Sequence, residues 1–146
     1  MGLALIAARA EDSDAVKKDR AALQGEWAMV SGTANGMPIP EAVVKTMKRI
    51  CKDGEVTLMM GEQLMFKAKV KVDPSATPKT VDFEMIEGPN KGKKQLGIYE
   101  VDGDTFKSCF AAPDGERPKD FTSKEGDMRN STVWKRVKAE AKPDEK

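Results

Sequence analysis

The chain contains no histidine, and this absence removes several kinds of chemistry at once. Ser-His and Cys-His mechanisms, the usual zinc sites and the commonest general base all depend on an imidazole ring. Only two cysteines are present, and the sequence has no calcium-loop or phosphate-loop spacing. We therefore do not expect an enzyme, we assign no catalytic residue, and we expect neither a metal site nor a cofactor.

The chain also lacks an excess of charge of either sign. Its 25 basic and 24 acidic residues leave a net charge of +1. Since a basic face supplies most of the affinity of nucleic-acid-binding domains, we expect no nucleic-acid partner. Membrane-spanning helices need roughly 20 apolar residues in a row, and no run here approaches that length. We therefore expect no transmembrane segment.

The first ten residues combine an apolar run, Leu3 to Ala8, with the small-x-small pattern Ala8-Arg9-Ala10 before Glu11. This pattern is typical of a signal-peptidase site. We predict that residues 1–10 are the remnant of a signal peptide and that the protein is extracytoplasmic, either periplasmic or secreted. The alternative is a disordered or frayed N-terminus.

The remaining length suits one domain, which we place at residues 11–138. The charged residues 139–146, which follow it, are expected to be a disordered tail. We expect this single domain to be a monomer.

Two helices are predicted near the start of the domain. Ser13 is a good cap for a helix from Asp14 to Gln24. A second helix is predicted within PEAVVKTMKRI, because Val43, Met47 and Ile50 fall on one side at helical spacing.

Most of the remaining sequence alternates between apolar and polar residues, as half-buried strands do. The cleanest example is QLMFKAKVKV, where Leu64 and every second residue after it are apolar, while Lys67, Lys69 and Lys71 lie on the other face. Asn35-Gly36, Asp53-Gly54 and Asp102-Gly103 are turn signals between such segments. The predicted strands are Glu26–Thr33, Arg49–Cys51, Val56–Met60, Gln63–Val72, Thr80–Ile86, Gln95–Val101, Thr105–Phe110 and Asn130–Val137.

About eight short, sequentially linked strands predict a mainly β fold, an antiparallel meander closed into a β-barrel. A barrel of eight strands holds either side chains alone or one small ligand. One interpretation is a pliable cavity for a small apolar or amphipathic molecule, since methionine lines adaptable apolar sites. The alternative is a packed core in a structural or protein-interaction module that acts through its surface. The residues predicted to face the interior and line such a cavity are Met29, Leu58, Met60, Phe66, Val70, Phe83 and Ile98.

The long loop before the last strand contains ERPKDF, Glu116 to Phe121. Arg117 is interpreted either as an anion clamp at the barrel mouth or as a loop anchor that pairs with a barrel carboxylate, with Phe121 holding the loop to the core. We favour the anchor, because a loop of this length needs such contacts. Cys51 and Cys109 fall on strands that are not neighbours in a meander, so we expect two free thiols rather than a disulfide.

Three residues near the two ends of the domain are expected to close the barrel. The first and last strands of a closed meander must pair, and the arrangement Gly25-x-Trp27 with Arg136 resembles that of lipocalins, where an arginine of the final strand covers the first-strand tryptophan. If Val133 and Val137 are core residues instead, alternation turns Arg136 outward.

A fuller resemblance is to a lipocalin-like domain family of unknown function that is abundant in planctomycetes. The matching segments cover most of the domain, from about Leu23 to Val137. This resemblance implies an extracytoplasmic lipocalin-like barrel and no reaction. The segments are LQGEW, PIPEAVVKTMK, DPSATPKTVDF, EGPNKGKKQLGIYEVDGDTFKSCFA and ERPKDFTS.

Overall fold

The computed structural model describes residues 13–137. The predicted signal-peptide remnant at 1–10 and the predicted tail at 139–146 lie outside the described residues. Within the described part, no helix is both long and apolar enough to cross a membrane. The elements of this part are α1 (Asp14–Leu23), β1 (Gly25–Ala34), β2 (Met37–Pro38), α2 (Glu41–Val44), β3 (Met47–Lys52), β4 (Glu55–Met60), β5 (Gln63–Asp73), β6 (Lys79–Glu87), β7 (Lys94–Asp102), β8 (Thr105–Phe110) and β9 (Asn130–Arg136).

The sheet is an antiparallel meander that closes on itself. From β3 to β9 each strand pairs with the next along the chain, and β1 pairs with both β3 and β9. The two residues of β2 only extend the pairing at the end of β1. Closure leaves no long unpaired edge among these eight strands, which removes a site of aggregation. The predicted eight-stranded antiparallel barrel with two short helices is confirmed.

Helix α1 covers one end of the barrel, which we call the closed end. Ser13 caps the helix as predicted, and its hydroxyl accepts a hydrogen bond from the amide of Val16. Val16 and Leu23 are the apolar residues that the helix buries in the barrel core. At the opposite end, which we call the open end, β1 ends and β9 begins, and Ala34 pairs there with Asn130.

The predicted second helix is much shorter than its apolar spacing indicated. α2 spans Glu41–Val44, and Met47 already belongs to β3. β3 pairs on one side with β1 and on the other with β4, so hydrogen bonds to two neighbours favour the extended conformation over continued helix. As a consequence Ile50 lies on the outer face and is 36% exposed, whereas Arg49 and Cys51 are buried.

The strand pairing at the closed end decides where Arg136 points. Trp27 of β1 pairs directly with Arg136 of β9, and the two side chains lie on the same face of the sheet. Trp134 is buried on that face, while Val137 is 41% exposed. The alternative in which Val133 and Val137 turn Arg136 outward is therefore wrong.

Candidate ligand-binding cavity

The interior of the barrel contains a cavity of about 390 Å³ near the open end. Such a volume lies within the range of small-molecule sites in proteins. Residues at the strand ends of the open end, among them Ala34 and Asn130, form its mouth. The lining residues are Met29, Ala34, Ile39, Met47, Arg49, Leu58, Met65, Phe66, Phe83, Met85, Pro89, Asn90, Gln95, Ser108, Phe110, Asn130, Thr132 and Trp134.

Aromatic side chains form much of one wall. The rings of Phe83 and Phe110 stack with their centroids 4.3 Å apart, and Phe66 tilts against Phe83 at 5.8 Å. Gly97 makes room for this stack, because a β-carbon there would lie 2.6 Å from Cδ1 of Phe110. The rings pack closely against the backbone of β7 here, and this wall of the cavity is apolar.

A small hydrogen-bonded group lies on another part of the lining. The hydroxyls of Ser108 and Thr132 are 3.2 Å apart, and the indole Nε1 of Trp134 donates to Thr132 Oγ1 at 2.8 Å. Only one of the two hydroxyl hydrogens is used in the bond between Ser108 and Thr132. Whichever hydroxyl donates, the hydrogen of the other has no acceptor within this group and can be offered to a molecule in the cavity.

Arg49 is the charged residue of the lining and is almost completely buried, with 3% of its surface exposed. Its guanidinium carbon lies 4.5 Å from the ring centroid of Phe106 and 5.7 Å from that of Phe83, so two aromatic faces partly compensate the charge. Its Nε and Nη2 atoms have no hydrogen-bond partner among the described residues. Burial lowers the pKa of Arg49 to about 10, which leaves the guanidinium charged at neutral pH.

Four of the predicted cavity residues, Met29, Leu58, Phe66 and Phe83, line this cavity. The other three do not, and strand geometry gives the reason in each case.

Met60 is directly opposite Met47, which lines the cavity, but it is the last residue of β4 and lies at the end of the strand, outside the lining. Val70 lies nearer the closed end, where with Leu23 and Cys51 it borders a void of about 20 Å³. Ile98 is buried, yet it lies between Gly97 and Tyr99 on β7 and so faces the outside of the barrel.

The long loop between β8 and β9 covers the outer face where Ile98 lies. Arg117 donates from Nη1 to Asp82 Oδ1 at 2.6 Å and to the carbonyl of Gly97 at 3.0 Å. Asp82 is on the outward face of β6, so Arg117 ties the loop to the barrel wall and does not reach the cavity lining. Phe121 lies on the same outer face, with Lys107 Nζ 5.2 Å from its ring centroid.

A second buried polar cluster lies at the closed end and has its hydrogen bonds satisfied. Asp19 of α1 accepts from Tyr99 Oη at 2.6 Å and from Lys79 Nζ at 2.9 Å. Burial, together with the hydrogen bond to the Asp19 carboxylate, raises the pKa of Tyr99 well above its usual range. These contacts fasten the helix to the barrel, because each of the three polar groups has a partner.

Cys51 and Cys109 are both buried and are not bridged, as predicted. Burial raises the pKa of each thiol, to about 11 for Cys109, so neither is a reactive thiolate at neutral pH. Within residues 13–137, no group of three or more cysteine and carboxylate side chains is placed to hold a metal ion.

Sequence reasoning did not single out Arg49, although one signal for it was present. In MKRICK the alternation of a strand puts Met47, Arg49 and Cys51 on one face, so an arginine lies between two apolar inward positions. The predicted helix took Met47 and Ile50 as members of one apolar side, and the predicted strand Arg49–Cys51 was too short to show this alternation.

Comparison with known protein families, curated proteins and solved structures finds no match to this chain. The geometry of the barrel interior is therefore the basis for a functional proposal.

Proposed function

We propose that this protein is a non-enzymatic binding module that holds one small amphipathic molecule inside its barrel. The observation that carries the proposal is the cavity of about 390 Å³ at the open end. Binding sites for small molecules are usually concave and mostly apolar, with a few polar groups that fix orientation. The cavity has this composition, because its methionine, leucine and aromatic side chains surround Arg49 and the pair Ser108 and Thr132.

The competing possibility is a structural or protein-interaction module that has no ligand. The closed end fits a packed interior, since Trp27, Tyr99 and Phe106 are fully buried there and in contact. The open end differs, because side chains there leave the cavity unfilled. We favour the binding function for this reason.

A titration with a neutral fluorescent probe, N-phenyl-1-naphthylamine, tests the binding function. We expect saturable binding with one site per chain and an increase in probe fluorescence. Ala34 is exposed and lies at the mouth, so Ala34→Trp should obstruct entry and weaken binding several-fold.

The matched control is Val30→Trp, which adds the same ring to the same strand at a position that is 53% exposed and does not line the cavity. We expect this variant to bind the probe like the wild type. If both variants bind equally well, the probe occupies another surface, and the interior binding function is contradicted.

We further propose that the domain acts outside the cytoplasm. The support is the Ala8-Arg9-Ala10 pattern, and the resemblance to the lipocalin-like family points to the same location. N-terminal sequencing of the protein isolated from its source should give a chain that begins at Glu11. An intact Met1 on protein recovered from the cytoplasm would contradict this location.

A further inference from the structure

The barrel buries a guanidinium to which it gives too few acceptors. Arg49 is 3% exposed, and neither Nε nor Nη2 has a hydrogen-bond partner among the described residues. Burial of a charge is costly unless the charge is paired and hydrogen-bonded. The faces of Phe106 and Phe83 attract the cation, but they offer no acceptor in the guanidinium plane. An apolar side chain would fill this position at lower cost.

We propose that the ligand is an anionic amphiphile, whose carboxylate pairs with Arg49 while its apolar body occupies the rest of the cavity. This inference rests on the binding function proposed above and specifies the chemical class of the ligand.

The charge distribution of the cavity lining supports a negatively charged ligand. Arg49 is the charged member of the described lining, and no aspartate or glutamate side chain shares the cavity with it. The carboxylates Asp82 and Glu84 of β6 lie opposite Lys71 and Lys69 of β5 on the outer face of the sheet, away from Arg49. The counter-charge for Arg49 is therefore left for a bound molecule to supply.

The geometry of the free donors favours a carboxylate. Nε and Nη2 lie on the same edge of the planar guanidinium, so their N–H bonds point in nearly the same direction. A carboxylate can accept from both at once, whereas an alcohol oxygen matches this edge less well. Because both atoms are closed to solvent, the Arg49 side chain must turn toward the cavity when the ligand enters.

The remaining lining suits the rest of such a molecule. The uncommitted hydroxyl hydrogen of the Ser108 and Thr132 pair offers a further donor to an anion. Met29, Phe66 and Phe83 provide apolar surface, on which a hydrocarbon body is favoured over water. A carboxylic acid with a medium-length hydrocarbon chain combines these features.

Isothermal titration calorimetry with three ten-carbon probes separates the charge from the apolar body. Decanoate, decan-1-ol and decylamine share one chain and differ in the head group. At pH 8 we expect decanoate to bind wild-type protein at least about tenfold more tightly than decanol, because a hydrogen bond to a charged group is worth about one to two orders of magnitude in affinity. Decylamine, a cation, should bind more weakly than decanol.

Arg49→Met removes the charge while keeping a long, flexible side chain. In this variant decanoate should lose its advantage over decanol, and the affinity for decanol should stay within about threefold of wild type. The matched control is Arg117→Met, which removes a guanidinium from the outer face; it should leave the order of the three probes unchanged.

If wild-type protein binds decanoate and decanol equally, the anionic class is wrong and the binding function stands. If none of the three probes binds, the binding function itself is contradicted. Should Arg49→Met fail to fold, the order of the probes on wild-type protein still decides the question.

Discussion

The guanidinium of Arg136 lies over the ring of Trp27, with its central carbon 4.3 Å from the ring centroid. The same guanidinium donates to the carbonyls of Ala22 and Gln24, at the end of α1. The indole Nε1 of Trp27 donates to Leu23 on the same helix at 3.0 Å. First strand, last strand and helix thus meet in one contact, which closes the end of the barrel.

Removing either member of this contact should destabilise the protein, and the two effects should not add. Trp27 is fully buried, so Trp27→Ala is expected to lower the free energy of unfolding by about 3–5 kcal/mol. Arg136→Ala should cost about 1–3 kcal/mol through its lost hydrogen bonds. Chemical denaturation of both single variants and the double variant measures the coupling, and additivity within about 0.5 kcal/mol would contradict a shared contact.

The carboxylate of Asp19 should be required for the attachment of α1. Asp19→Ala leaves Tyr99 and Lys79 without their common acceptor, so the free energy of unfolding should fall by about 2–3 kcal/mol. The control is Lys18→Ala, at an exposed position of the same helix, which should change the free energy of unfolding by less than about 0.5 kcal/mol. Equal effects of the two substitutions would show that the cluster does not hold the helix.

Stability should decline at alkaline pH, in part because of Cys109. Burial raises the pKa of this thiol from 9.0 to about 11, so the folded chain holds the proton more tightly than the unfolded chain. Its contribution to stability is present below pH 9 and is lost as the pH rises from 9 toward 11. Cys51 and Tyr99 act in the same direction, because the pKa of each is also raised.

Denaturant unfolding at pH 8, 9 and 10 measures this decline in wild-type protein and in Cys109→Ala. The variant is expected to lose less stability between pH 8 and pH 10 than the wild type does, whatever its stability at pH 8. Parallel declines would show that the buried thiol does not contribute.

The unpaired charge of Arg49 should lower the stability of the ligand-free protein. Arg49→Met replaces it by an apolar side chain of similar reach, and such replacements are neutral or stabilise by about 1–4 kcal/mol. We expect the melting temperature to rise in the absence of ligand. A clear fall in melting temperature would mean that Arg49 has structural partners that outweigh its desolvation.

Much of the fold could be predicted from the sequence, because alternation and turn residues are local signals. The sequence predicts only Arg49–Cys51 of the strand Met47–Lys52, because Met47 and Ile50 also fit the spacing of a helix. Pairing with β1 and β4 decides between strand and helix. Only some of the cavity residues could be predicted, because a single sequence does not show which face of a strand is inward. Alternation shows that Ile98 differs in face from its neighbours, but only the pairing of β6 with β7 shows which face is inward.

Arg49 marks the limit of prediction from a single sequence. Arginine is rarely buried without a partner, so the alternation in MKRICK alone is weak evidence for an inward Arg49. The tertiary structure puts it inside because β3 is flanked on both sides and its alternate residues must face the interior. The lipocalin-like family resemblance stays a prediction.

A crystal structure of the protein with decanoate tests the central claim most directly. We predict density inside the barrel, with the carboxylate oxygens about 2.7–3.2 Å from Nε and Nη2 of Arg49 and the hydrocarbon chain directed toward the open end. The guanidinium should have turned toward the cavity relative to the ligand-free protein. Decanoate found only on the outer surface, with the cavity empty and Arg49 unmoved, would contradict the account.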